Sequence, residues 1–208
     1  MTATSSMPSP PPVILASKSP TRAALLHAAG IDFTQVGALV DEVGMRESLH
    51  AAAVPVEDAA VALAELKAAQ VASRAPAEAL IIGADQLLEV EGEWLEKPAG
   101  IAAARDQLLR LRGRRHRLVS GMVAFRGGSR IWHHVDVATL WMRQLGDPAI
   151  DSYLAKVGPE VLGCVGAYQL EGQGAQLFAR IEGDYFTILG LPLLPLLQML
   201  RDQGVLEP

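Results

Sequence analysis

The chain has 208 residues, 50 % of them hydrophobic, with a formal net charge of -5 at pH 7. That length suffices for a buried core, while the acidic balance argues against general nucleic-acid binding, which needs a basic surface to displace counterions. Cys164 is the only cysteine, which excludes an internal disulfide and fits a reducing cytoplasm.

Met1 to Pro12 carry Ser and Pro but no basic region or long apolar run, so residues 1–12 are expected to form a floppy tail rather than a signal peptide. Residues 13–208 are expected to form a single domain with two lobes. Val13 to Ala16 suit a short strand. Ser19 is a good N-cap and Pro20 a good first residue for a helix over Pro20 to Ala29, stopped by Gly30. Ile31 to Val36 is expected to return as a strand, and Asp41-Glu42 to begin a connecting segment. An Ala-rich helix follows from about Val56 to Ser73.

Leu80-Ile81-Ile82 read as a buried strand running through Gly83-Ala84, which leave room for a close approach, into Asp85 at the strand's exit. Glu91-Gly92-Glu93 suits a hairpin turn, and Ile101 to Leu111 a helix. Strands over Arg117 to Phe125 and Arg130 to Met142 flank Gly127-Gly128. Asp147 should cap a helix to Val157, with Pro148 starting it. Gly163 to Leu170 and Leu177 to Ile181 are expected as late strands, and Pro192 to Arg201 as the closing helix. Leu189 to Leu200 is apolar, but too short and too proline-rich to span a membrane. Alternating strands and helices with antiparallel hairpins predict an α/β fold: a mixed twisted sheet with flanking helices.

Several residues carry chemistry as a set. Ser17-Lys18-Ser19-Pro20-Thr21-Arg22 leads into a helix start, where free N–H groups and loop hydroxyls suit a phosphate. The helix dipole disfavours Arg22 in the first turn unless an anion binds beside it. Lys67 lies four residues from both Leu63 and Val71 on an apolar face, where it either snorkels to water or enters an anion pocket. Lys97 precedes Pro98, and Glu42 and Asp85 supply acids. Three cations and a metal would offset a triphosphate, carboxylates would hold that metal, and one of them would activate water.

Ile14-Leu15-Ala16-Ser17-Lys18-Ser19-Pro20-Thr21-Arg22, Val40-Asp41-Glu42, Lys67-Ala68, Gly83-Ala84-Asp85-Gln86 and Glu96-Lys97-Pro98 stand in the order seen in the Maf family of nucleotide pyrophosphatases. Gly166-Ala167-Tyr168, Glu171-Gly172 and Gly190-Leu191-Pro192-Leu193 extend the resemblance from Val13 to about Arg201. It implies a fold similar to inosine triphosphate pyrophosphatases, with two lobes around a cleft. It also implies hydrolysis of a nucleoside triphosphate to the monophosphate and pyrophosphate with Mg²⁺ or Mn²⁺, in a cytoplasmic homodimer. By position, Asp85 is the implied base and a metal-site acid, and Glu42 a second metal-site acid. Arg22, Lys67 and Lys97 are the implied phosphate-binding cations, with Ser17 and Ser19 lining the loop.

Thr21, Gln86 and Glu171 stand at the positions that divide the family by substrate. Gln86 and Glu171 resemble the branch that acts on 7-methyl-GTP rather than the branch for dTTP and UTP. The chemistry agrees: a carboxylate accepts from the adjacent N1–H and N2–H of guanine, and the 7-methyl form adds positive charge. That branch often carries Trp where this chain has Thr21, and the family commonly has Glu where this chain has Leu66. Glu65 would point about 100° away on a helix. The remaining readings are a pyrophosphatase of broader specificity, covering GTP, UTP or dTTP, and a non-catalytic regulator of septum formation.

Other residues have bland explanations. His133 and His134 face opposite sides of a strand. Cys164 reads as a buried small residue, and the basic run Arg110 to Arg117 as a solvated helix end and loop. Trp132 and Trp141 should pack in a core or dimer interface.

Overall fold

A computed structural model describes residues 10–207, so residues 1–9 of the expected tail lie outside it. In chain order the elements are β1 (Val13–Ala16), α1 (Pro20–Ala28), β2 (Thr34–Gln35), α2 (Glu42–Ala51), α3 (Val56–Ala72), β3 (Leu80–Val90) and β4 (Glu93–Leu95). Then come α4 (Ile101–Leu111), β5 (Arg115–Arg126), β6 (Ser129–Met142), α5 (Asp147–Val157), β7 (Phe178–Glu182), α6 (Tyr185–Ile188) and α7 (Leu193–Asp202). The strands form one mixed sheet in the order β2-β1-β3-β5-β6-β7, with β4 also paired to β3. Strand β1 runs parallel to β2 and β3, and the remaining pairs are antiparallel. The expected mixed α/β architecture is present. No helix among the described residues is long and apolar enough to cross a membrane.

Strand β3 organises the molecule. On one side β5 pairs with it continuously from Ile81 to Glu89. On the other side β1 stops at Ala16, opposite Gly83, and β4 begins only at Leu88. The edge from Ala84 to Leu87 is therefore open between two neighbours. Asp85 lies within this strand, not at its exit as the apolar run suggested. The ladder to β5 keeps the chain extended well past Ile82.

Alternation along β3 assigns its two faces. Ile81, Gly83, Asp85 and Leu87 point toward α3. The room at Gly83 is filled by that helix: a Cβ there would lie 2.3 Å from Ala64 O. A Cβ at Gly121 of β5 would lie 2.5 Å from the carbonyl carbon of Ala60. On the opposite face, Leu80, Ile82 and Ala84 join a core cluster with Leu26, Leu196 and Leu200 of α1 and α7. Leu88 and Val90 join a second cluster with Leu108 of α4 and Leu154 of α5. Gln86 falls between these clusters.

Some local expectations fail for identifiable reasons. The strand expected over Ile31 to Val36 shrinks to Thr34–Gln35, because this edge strand meets β1 at only two register positions. The expected connection after Asp41-Glu42 is helix α2, capped by Asp41 Oδ1 accepting from Gly44 N at 3.0 Å. None of its residues is fully buried, and its apolar contact is limited to the Met45 and Leu49 pair one turn apart, a short stripe that the sequence reading passed over. Gly146 rather than Asp147 caps α5. Asp147 instead accepts from Arg112 and Arg105. Gly163 to Leu170 is not a strand but turns through short 3₁₀ segments, with positive φ at Gly166 and Ala167. The short α6, capped by Asp184, was not anticipated. The hairpin at Glu91-Gly92 does form, with both residues at positive φ as a type I′ turn requires. The basic run is largely tied down: Arg114 pairs with Glu91, and Arg117 with Glu57 and Glu89.

His116 is 1 % exposed, and its Nε2 lies 2.8 Å from the Tyr168 hydroxyl, while Nδ1 is buried without a partner among the described residues. Burial lowers its pKa to about 4. The unfolded chain takes up this proton near pH 6.5, so the neutral form's contribution to stability is full above that value and is lost as pH falls toward 4. Denaturant titrations should show His116 removing up to roughly 3 kcal/mol across that window. A His116→Gln chain should show a correspondingly shallower decline. Equal acid sensitivity in both chains would contradict this. The close approach of α3 gives a second test: Gly121→Ala should lower stability by about 1–3 kcal/mol through overpacking. An unchanged unfolding midpoint would show that the helix is not so tightly seated.

Candidate functional site

The open edge of β3 borders a cavity of about 130 Å³ that adjoins a second of about 330 Å³, the two sharing Ser19, Thr21, Arg22, Glu42, Lys67 and Lys97 in their walls. Asp85, Gln86 and Glu171 line the first, and Ser17 lines the second. All ten residues singled out in the sequence therefore line these two adjoining cavities. They reach it from different elements: the β1–α1 loop and α1, helices α2 and α3, β3, the β4–α4 loop, and the turns before β7.

The α1 end is built as its sequence suggested. Ser19 Oγ accepts from Arg22 N at 3.3 Å, which makes Ser19 the N-cap, and Pro20 opens the helix. Ser17 Oγ accepts from Ser19 N and from Arg22 Nη1, each at 3.2 Å. Arg22 is buried, not solvated. Its Nη1 donates to Ala84 O at 2.8 Å, on the open edge of β3, and its Nε donates to Gly190 O at 2.7 Å. Burial draws the guanidinium's pKa down, against the opposing pull of Asp85 and Glu42. Nη2 makes no hydrogen bond among the described residues yet is not sealed from solvent, so it remains free toward the cavity.

Lys67 does not snorkel. It is 7 % exposed, and its Nζ lies 2.5 Å from Asp85 Oδ1 and 2.7 Å from Glu42 Oε2. One turn of α3 beyond Leu63 places it over Asp85 because Gly83 lets the helix approach. Asp85 is 5 % exposed, and its Oδ2 is buried with no partner among the described residues. A buried acceptor left open carries a desolvation cost unless a ligand, ion or water meets it. Lys97 is exposed and stands at the cavity wall with Glu171.

Gln86 Nε2 donates toward Ser120 Oγ, Thr187 O and Ile188 O at 3.0, 2.9 and 3.1 Å. Ser120 and Thr187 carried no sequence signal, since an isolated Ser or Thr reads as neutral. Arg46 was also missed. It lines the cavity from α2 and pairs with Glu96 at 3.0 Å. Reading α2 as a helix would have placed Arg46 one turn from Glu42, on the same face. Glu65 pairs with Arg130 at 2.6 Å and does not stand in for an acid at Leu66. Cys164 is half-buried at the cavity wall rather than fully buried, and burial pushes its thiol pKa up, against a nucleophilic role. Trp132 packs beside the α1–α7 cluster and stacks on His134, away from this wall.

The donor set fits a hard divalent cation of the Mg²⁺ type. Two carboxylates meet on one ammonium, and one of them has an unsatisfied oxygen. No group of three or more potential ligands occurs among the described residues, so a cation held here would need phosphate oxygens and water to complete its shell. Mg²⁺ is commonly bound in that way.

The chain is 48 % identical over 196 residues to a nucleoside triphosphate pyrophosphatase of Rhodospirillum rubrum, covering 94 % of this chain and 96 % of the relative. It is 49 % identical over 195 residues to a 7-methyl-GTP pyrophosphatase of Mesorhizobium japonicum, covering 94 % and 98 %. A 7-methyl-GTP pyrophosphatase of Rhizobium meliloti is 48 % identical over 197 residues, covering 95 % and 98 %. The family profile described as Maf-like protein matches residues 12–203, and with these relatives it shows that the chain belongs to the Maf family.

Proposed function

We propose that the protein hydrolyses a nucleoside triphosphate to the monophosphate and pyrophosphate, with 7-methyl-GTP its leading substrate. The observation that carries this reading is the buried Asp85 Oδ2, without a partner among the described residues, beside Lys67 at the edge of a cavity that also presents Arg22 and Lys97. The names of the relatives from Rhodospirillum rubrum and Mesorhizobium japonicum support it.

In this reading the triphosphate lies along Arg22 Nη2, the α1 N-terminus and Lys97, whose charges offset its own. Asp85 Oδ2 accepts a proton from a water molecule. The water oxygen bonds to the α-phosphorus, and the bond from that phosphorus to the bridging oxygen breaks, that oxygen leaving with pyrophosphate. Lys67 orients Asp85 by holding its other oxygen. A Mg²⁺ or Mn²⁺ ion bound by Asp85 and Glu42 would supply charge neutralisation on the phosphates. The base lies toward Glu171, which as a carboxylate accepts from two adjacent guanine N–H groups. Thr21 in the wall offers no aromatic face for a cationic base, which favours acceptance of GTP and other triphosphates beside the methylated one. A cytoplasmic homodimer belongs to the same reading.

Asp85→Asn should lower turnover by roughly a hundredfold or more, because it removes the proton acceptor and a charge at the metal site. Wild-type-like kcat in that variant would rule the mechanism out. Glu171→Gln should shift preference from guanine toward uracil and thymine nucleotides across a panel of triphosphates. An unchanged ranking of kcat/KM would remove Glu171 as the reader of the base.

A further inference from the structure

The other face of β3 carries a polar row that the chemistry above does not use. Gln86, Ser120 and Asp136 are register partners across β3, β5 and β6, and Thr187 of α6 is laid over them. Ser120 and Thr187 are fully buried. Thr187 Oγ1 donates to Asp136 Oδ2 at 2.6 Å, and Thr187 N donates to Asp184 Oδ1 at 3.1 Å, which fixes the turn of α6. Ser120 Oγ donates to Thr187 O at 2.9 Å and accepts from Gln86 Nε2.

Two of the three acceptors facing Gln86 are peptide carbonyls, those of Thr187 and Ile188. A carbonyl cannot donate, so only the amide nitrogen can face them, and the orientation of the side chain is decided by chemistry rather than by convention. Gln86 Oε1 accepts no hydrogen bond among the described residues and is not buried. Gln86 lines the cavity, whereas Ser120, Asp136 and Thr187 stand behind it. We propose that Ser120, Thr187 and Asp136 are positioning residues for base selection: they capture the Gln86 amide nitrogen so that its oxygen meets the substrate as a second acceptor beside Glu171.

This deepens the proposed function and rests on it. A wall of acceptors favours a base edge with adjacent N–H donors, as in guanine. It disfavours uracil, which flanks its single ring N–H with carbonyl oxygens. Ser120 Oγ and the Thr187–Asp136 bond hold the α6 carbonyls against the amide; if the row is broken these carbonyls shift, and the amide can rotate, present its NH₂, and tolerate the uracil carbonyls.

The test compares kcat and KM for 7-methyl-GTP, GTP and UTP in the intact chain and in Ser120→Ala, Thr187→Val and Thr187→Ser. Ser120→Ala and Thr187→Val should each narrow the GTP-to-UTP ratio of kcat/KM by about three- to tenfold, as expected for one hydrogen bond, mainly through KM. Thr187→Ser keeps the hydroxyl and should retain the wild-type ratio. Because the ratio is internal to each preparation, partial misfolding does not alter it. A wild-type ratio in both Ser120→Ala and Thr187→Val, or an equal shift in Thr187→Ser, would overturn the inference. If Glu171→Gln reorders the panel while these variants do not, this inference alone fails. If the intact chain cleaves none of the three, the proposed function falls and takes this with it.

Discussion

The site depends on one buried ammonium. Lys67 Nζ sits between Asp85 and Glu42, and two helices and a strand must agree for it to do so. Helix α3 has to lie against Gly83 and Gly121, β3 has to continue past Ile82, and α2 has to bring Glu42 to its first turn. Breaking a buried ion pair by removing one partner typically costs roughly 3–5 kcal/mol, because a desolvated charge is left alone. Among the described residues nothing meets Asp85 Oδ2. A fully satisfied carboxylate would be a structural feature only, whereas this one retains capacity for a ligand.

The open edge of β3 explains how two tasks share one strand. Where β1 has ended and β4 has not begun, the cavity wraps around the backbone, and Ala84 O turns outward to hold Arg22. Asp85 looks toward α3 and its Lys67. Gln86, the next residue, looks between the two core clusters toward α6. In the proposed function, strand alternation thus separates phosphate chemistry from base recognition by one residue. Asp85 is held from α2 and α3, whereas Gln86 is held by Ser120 and by the Thr187 and Ile188 carbonyls.

Much of this was legible in the chain. The Ser19 cap with Pro20, the α3 helix, the Glu91-Gly92 turn and the long β5–β6 hairpin each follow from local chemistry that tertiary contacts reinforce. The ten candidate residues of the ordered motifs line two adjoining cavities. What stayed hidden was set by packing. Helix α2 has no fully buried residue and only the Met45–Leu49 pair as an apolar signal, which concealed Arg46 as well. The 3₁₀ turns around Gly166 look apolar enough for a strand, and only their positive φ values show otherwise. The orientation of Gln86 depends on backbone carbonyls one hundred residues away, which no local pattern encodes. Lys67 could be read either way until its depth was known.

Phosphorus NMR of the products from 7-methyl-GTP or GTP, incubated with the intact chain and Mg²⁺, tests the account most directly. Cleavage at the α–β anhydride predicts equal amounts of nucleoside monophosphate and pyrophosphate. A nucleoside diphosphate with orthophosphate, or unchanged triphosphate, would contradict it.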